Sequence, residues 1–262
     1  MMRSLSIAAT GMQAQQLNVE VISNNIANMN TTGFKRQRAE FQDLLYQNLE
    51  RPGASTSSAG TMAPTGIQIG VGVKAGAIGR VTEQGALART DNPTDLAISG
   101  RGYFQVSMPD GTTAYTRDGN LAIDAEGRIV TSDGFPLEPA ITVPNEALSV
   151  SISRDGVVEA TIQGQAAPQQ LGQIELAAFV NPAGLEAQGE NLFLETAASG
   201  APNISTPTSP GFGALLQGFV ETSNVNAVEE ISALIVAQRA YEMNAKVITA
   251  SDEMLQTASN VR

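Results

Sequence analysis

Both ends of the chain repeat apolar residues at alternating steps of three and four, whereas the middle alternates in twos between glycine turns. Near the start, Leu5, Ala8, Met12, Gln15, Val19, Ile22, Ile26 and Met29 keep the spacing of a coiled-coil seam, broken only at Gln15. Near the end, Ala227, Ile231, Leu234, Gln238, Tyr241, Ala245, Ile248, Asp252 and Leu255 continue it, with polar breaks at Gln238 and Asp252. These patterns predict a helix over residues 4–29, about 40 Å long, and another from near Asn226 to about Asn260, about 50 Å long. Asn226 is placed to cap the amide of Glu229, and Glu242 with Lys246 forms a favourable four-residue charge pair. Asn28, Asn30 and Gly33 end the first helix, because Asn and Gly accept left-handed backbone. Phe34, Lys35, Arg36, Arg38, Phe41, Leu44 and Leu45 then predict a shorter amphipathic stretch.

From Arg51 to Gly66 the composition turns to Pro, Gly, Ser and Thr, which predicts an extended insertion. Ile67, Ile69, Val71 and Val73 alternate with Gln68, Gly70, Gly72 and Lys74 and predict one half-buried strand. Acid-glycine pairs follow at Asp110-Gly111, Asp118-Gly119, Glu126-Gly127, Asp133-Gly134 and Asp155-Gly156, with short β-type runs between them. That alternation is a hairpin signal. The fold class is therefore α+β: two long terminal helices form a discontinuous, coiled-coil-like core, with an antiparallel β-rich domain inserted between them. Its expected divisions are 1–34 with 223–262 as helical core, 35–80 as connecting region with the insertion at 51–66, 81–195 as β domain, and 196–222 as return linker.

Composition narrows the chemistry. The 262 residues contain no Cys, His or Trp. Disulfides, thiolate catalysis and Cys or His metal sites are thereby removed, together with the side chain that most often moves protons near neutrality. The net charge of −11 is concentrated in residues 52–222, which carry −10. A nucleic-acid surface needs a basic stripe, and none is present. No continuous apolar run of about 18 residues predicts a membrane span. Ser4, Ser6, Thr10 and Gln13 interrupt the apolar run that a cleaved signal peptide would need. Outside its stripe the first helix carries Asn18, Asn24, Asn25 and Asn28 where a solvated helix carries Lys and Glu. Uncharged polar faces suit burial on several sides, with amide hydrogen bonds to neighbours.

Other motifs give weaker signals. Asp118, Asn120, Asp124 and Glu126 faintly suggest a calcium loop, but their spacing departs from the EF-hand pattern and fits a hairpin equally well. Paired carboxylates for glycoside hydrolysis lack Trp platforms and a desolvated member. Gly70-Val-Gly72 leads into a strand and is no phosphate loop. Asn30-Thr-Thr32 and Asn203-Ile-Ser205 fit the glycosylation pattern and are expected to be a turn and a linker.

The stretch Leu5-Ser-Ile-Ala-Ala-Thr-Gly-Met12, followed by Ser23-Asn-Asn-Ile-Ala-Asn-Met-Asn-Thr-Thr-Gly-Phe34, resembles the N-terminal signature of the bacterial flagellar rod and hook family. Ser223-Asn-Val-Asn-Ala-Val-Glu-Glu230, Gln238-Arg-Ala-Tyr-Glu-Met-Asn-Ala245 and Asp252-Glu-Met-Leu255 resemble its C-terminal signature. Asp95-Leu-Ala-Ile-Ser-Gly-Arg-Gly-Tyr-Phe104 and Tyr115-Thr-Arg-Asp-Gly119 resemble its shared β domain. Length and the Arg51–Gly66 insertion point to the distal-rod member, with a proximal-rod subunit as the nearest alternative. A secreted binding or hydrolytic β domain on a helical stalk is the rival class.

The resemblance implies a structural subunit, not an enzyme, with no cofactor, that stacks with copies of itself into a tubular drive shaft passing torque from motor to hook. Its implied partners are the proximal rod proteins, the hook protein, the peptidoglycan (P) and outer-membrane (L) ring proteins, and the flagellar type III export apparatus. No nucleic acid and no membrane insertion are expected. It implies a place in the basal body, reached through the periplasm without signal cleavage. The expected subunit interface comprises Leu5, Ala8, Met12, Val19, Ile22, Ile26 and Met29 with Ile231, Leu234, Tyr241, Ala245, Ile248 and Leu255. Pro52, Gly53, Pro64 and Gly66 are expected to mark an insertion that stiffens the shaft.

Overall fold

The computed structural model describes residues 2–52, 65–163 and 167–260. Gly53 and Pro64 of the expected stiffening insertion lie outside the described residues. The architecture is α+β and divides into two units, one of residues 1–27, 37–79 and 226–262, the other of 28–36 and 80–225.

The first unit contains α1 (Met2–Ala27), β1 (Gln37–Asp43), β2 (Tyr46–Glu50), β3 (Ile67–Gly70), β4 (Val73–Arg80) and α2 (Ala227–Asn260). Asn226 caps α2 through Val228, whose amide donates to Asn226 Oδ1 at 3.1 Å, one residue nearer than expected. Glu229 and Glu230 then place negative charge at the positive end of the helix. The stretch around 37–43 is a strand rather than a continued helical pattern. Asn25 explains the change: its amide takes both backbone groups of Gln37, at 2.8 and 2.9 Å, which a helix would need for itself.

The strand expected across 67–73 is two strands. β3 pairs antiparallel with β2, while β4 pairs with β1. The break falls at Gly72, with φ of +131° and Thr10 Oγ1 where a Cβ would sit. Pro52 and Gly66 meet at the end of the β2–β3 ribbon, where a Cβ on Gly66 would overlap Glu50 O and Pro52 N.

The second unit contains β5 (Leu87–Arg89), β6 (Leu96–Ser99), β7 (Tyr103–Ser107), β8 (Thr113–Thr116), β9 (Leu121–Ile123), β10 (Ile129–Thr131), β11 (Leu137–Glu138), β12 (Ala147–Ile152), β13 (Val157–Ile162), β14 (Gln169–Gln173), β15 (Leu176–Ala178), β16 (Glu186–Gly189), β17 (Leu192–Leu194), β18 (Asn203–Ser205), β19 (Ala214–Gln217) and β20 (Phe219–Glu221). Its largest sheet runs β16-β17-β8-β7-β15-β18, with β11 also paired to β7. β12-β13-β14 form a second sheet, and β9–β10, β6–β19 and β5–β20 are antiparallel pairs.

Both faces of the central strands are covered, so β7 reads as a continuous buried run. Phe104 and Leu176, partners across β7 and β15, belong to one apolar core with Val158 and Leu215. Tyr103 and Ala177, the next pair, belong to a second core of Tyr115, Phe179 and Phe193. Its rings meet edge to face, with centroids 4.8 Å apart for Tyr115 and Phe179.

Four of the acid-glycine pairs turn the chain. Gly111, Gly127, Gly134 and Gly156 have φ between +82° and +87°, and each amide donates to the carbonyl three residues earlier. Asp118-Gly119 does not turn: a Cβ on Gly119 would overlap Leu96 O, so that glycine serves close backbone approach. Residues 196–222, expected to be a return linker, carry β18, β19 and β20, each paired within the unit. Asn203-Ile-Ser205 is accordingly a strand. Their Pro, Ser and Gly content resembles a linker because short strands leave most residues to turns.

Phe104 is fully buried. Phe104→Ala is expected to lower the unfolding free energy by about 3–5 kcal/mol, read as a lower denaturant midpoint at unchanged slope.

Candidate functional site

The helical unit is built on an antiparallel pair. Ser4 Oγ lies 3.3 Å from Ser251 Oγ, and Asn25 Nδ2 donates to Glu230 Oε2 at 3.1 Å. Between them, a Cβ on Gly11 would lie 3.0 Å from Asn244 Nδ2. The facing positions advance in sevens along α1 and retreat in sevens along α2, so one register holds from end to end. Asn18 and Ala237 occupy the remaining step, and Ala237 is buried. The seam is therefore small or polar.

Expected interface residues fall mainly on its flanks. Ala8 and Ile22 are buried; Leu5, Met12, Val19, Ile26, Leu234, Ala245 and Ile248 are half-buried; Met29, Ile231, Tyr241 and Leu255 are exposed. On α2 the expected line at 231, 238, 245 and 252 sits one residue from the seated line at 230, 237, 244 and 251. One residue is about 100° of helix rotation. Large apolar side chains drew the expectation, whereas the seam selects small ones. Val19 and Tyr241 both line an open cavity of about 350 Å3 with Gln16, Glu20, Gln238 and Glu242.

The opposite side of α1 faces strands. Ala14 and Val21 are buried, and Thr10 Oγ1 accepts from the Val73 amide at 3.4 Å. Asn25 links three elements, bonding Gln37 of β1 and Glu230 of α2 from its place on α1. Asn25 is buried with amide hydrogen bonds to its neighbours, as its polar, uncharged face implied, whereas sequence reasoning missed Gly11, Glu230 and Asn244. The available signal was the seven-residue recurrence of small and amide residues at 4, 11, 18 and 25.

The β-rich unit holds a buried ion cluster that was also missed. Glu221, 1% exposed, accepts Lys35 Nζ at 2.5 Å on Oε1 and Arg117 Nη2 at 2.8 Å on Oε2. The Gly85 amide donates to Oε1 at 2.9 Å. Lys35 also donates to Glu83 O, and Arg117 Nη1 donates to Gly100 O and Gly102 O. Burial depresses the Lys35 pKa below its usual 10.5, helped by the nearby Arg117 charge and opposed by Glu221. Beside it, Asn224 accepts the Arg36 amide and donates to Val81 O and Glu83 O.

Of the faint calcium set, Asp118 instead bonds Thr32 and Asn191, and Asp124 pairs with Arg128. Among the described residues, no group of three or more His, Cys, Asp or Glu is placed to hold a metal. Among them, too, no helix is long and apolar enough to cross a membrane.

Three family descriptions match the chain: flagella basal body rod protein over residues 5–35, flagellar hook protein FlgE/F/G D1 domain over 97–160, and flagellar basal body rod FlgEFG protein C-terminal over 216–261. A Caulobacter vibrioides protein named flagellar basal-body rod protein FlgG is 60% identical over 261 residues, covering 100% of both chains. Proteins of that name from Borreliella burgdorferi and Bacillus subtilis are 49% and 40% identical, covering at least 99% of each chain. The chain belongs to the flagellar basal-body rod protein family. The family is one of structural proteins, not enzymes. Each of its three matched segments supplies one member of the buried cluster, Lys35, Arg117 and Glu221 in turn.

Glu221→Gln leaves two buried cations without their carboxylate, and a loss of about 3–5 kcal/mol is expected. Asp91→Asn, which breaks an ion pair exposed on both sides, is expected to cost less than about 1 kcal/mol. Chemical denaturation of the two variants checks the contrast. Because the folded Lys35 pKa is depressed, the unfolded chain binds more protons between that value and 10.5. Stability relative to Lys35→Met should therefore rise with pH across that window, measured by denaturant titration at several alkaline pH values.

Proposed function

We propose that the chain is a structural subunit that polymerises with copies of itself into the distal part of the flagellar basal-body rod, carrying torque from motor to hook. The observation that supports this most directly is the helical unit's uncovered apolar surface. Even with α1 and α2 paired, Ile231, Ile235, Val236, Tyr241, Met243, Val247 and Met254 remain exposed. Large apolar side chains left exposed on several faces of one helix suit burial against further copies, since exposed apolar patches mark protein–protein contacts. The full-length likeness to proteins named flagellar basal-body rod protein supplies the identity of the polymer.

The finer assignments are part of the same proposal. The paired helices act as a coiled-coil-like core, and the expected interface residues on their flanks meet neighbouring copies. The 51–66 insertion reaches adjacent subunits and resists bending. The partners are proximal rod proteins, the hook protein, the P- and L-ring proteins and the type III export apparatus, which delivers the chain without signal cleavage. The acidic residues of the β-rich unit keep it from sticking to the surrounding rings.

Supplying the chain to a non-swimming strain that lacks its own rod subunit is expected to restore basal bodies with full-length rods under electron microscopy. Absence of the chain from rods in a strain that swims again would refute the assignment. In dilute monomer, amides of residues 4–29 are expected to exchange rapidly, because the apolar flanks left uncovered beside the α1–α2 seam do not offset ordering entropy. In polymer they should be protected, a contrast that hydrogen-exchange mass spectrometry reads directly.

A further inference from the structure

Around α2 the side chains sort into distinct faces. The seam positions 230, 237, 244 and 251 face α1. To one side of them run Val236, Met243, Val247 and Met254, exposed at 67%, 61%, 45% and 52%. Steps of seven, four and seven place these four in one line, about 27 Å long at 1.5 Å per residue. Ala240 and Ala250 fill the gaps, and no charged residue interrupts the line. Arg239 and Lys246, each three residues beyond a member, border it.

To the other side of the seam lies the groove of about 350 Å3 at Val19 and Tyr241. Its apolar wall continues along α1 through Leu5, Met12 and Ile26 and along α2 through Leu234 and Ile248, again in sevens. Its charged rim is Glu20 and Glu242. The line and the groove thus share a repeat, while their bordering charges are opposite in sign.

We propose that the Val236–Met243–Val247–Met254 line of one copy seats in the Val19–Tyr241 groove of a second copy. This inference rests on the assembly function proposed above and names its contact. Matching seven-residue repeats let the side chains of the line enter the gaps between groove residues as knobs into holes. Arg239 and Lys246 then approach Glu20 and Glu242, which fixes orientation more than it adds affinity. Line and groove are different surfaces of one molecule, so the contact is head-to-tail. Each added copy leaves one of each unfilled, so growth continues wherever the rotation between copies does not close a ring.

The chain has no Cys, so two single-cysteine proteins test the contact directly. Val19→Cys and Met243→Cys, mixed under polymerising conditions and oxidised, are expected to give a disulfide-linked dimer that neither gives alone. Met243→Glu puts a carboxylate against the acidic rim, and it should raise the concentration at which polymer appears by roughly tenfold or more. Met243→Leu should assemble as the parent does. Circular dichroism of Met243→Glu monomer should match the parent, since Met243 is exposed. If the parent polymerises, the mixed dimer is absent and Met243→Glu assembles normally, the contact is wrong while the assembly function stands. If the parent itself never polymerises, the assembly function fails and the contact falls with it.

Discussion

The register of the α1–α2 seam decides what the rest of the helical unit can do. Its facing positions are small or polar: Ser4, Gly11, Asn25, Glu230, Asn244 and Ser251. A seam of this kind buries little apolar surface. It gains instead from hydrogen bonds that fit in one register. Asn25 and Glu230 make that register specific, as a lone polar pair does within a helical interface. The larger apolar residues are displaced to the flanks, where they remain half covered or exposed.

The β-rich unit solves a different problem. Its sheets are short, and the segments at 33–36, 81–85, 100–102, 117 and 221–224 converge by hydrogen bonds and charge rather than by apolar packing alone. One carboxylate serves two cations. Removing it costs far more than an exposed pair would, because solvent does not reach the orphaned charges.

The helix bounds were legible in the sequence because a repeat in threes and fours survives over many turns, and because Asn226 and Asn28 mark its ends. The face that packs inside the unit was not. Apolar size marks where burial is rewarded, but Gly11 and Ala237 sit in the seam because they are small. Four acid-glycine turns were legible from local backbone preference, while Gly119 was not, since its constraint comes from Leu96, distant in sequence. β1 was obscured for the same reason: Asn25, twelve residues earlier, takes the backbone groups of Gln37. The Lys35–Arg117–Glu221 cluster joins three widely separated stretches, and no local window contains it.

That separation bears on the order in which the molecule can be finished. Lys35 belongs to the first fifth of the polypeptide and Glu221 to the last fifth. While the chain is being made from its amino end, both cations stay hydrated, because the group that makes their burial tolerable has not yet emerged. Early closure of the β-rich unit is penalised until the final strand is available. The same ionic contact that fastens the finished unit therefore delays its completion until nearly all of the polypeptide is present.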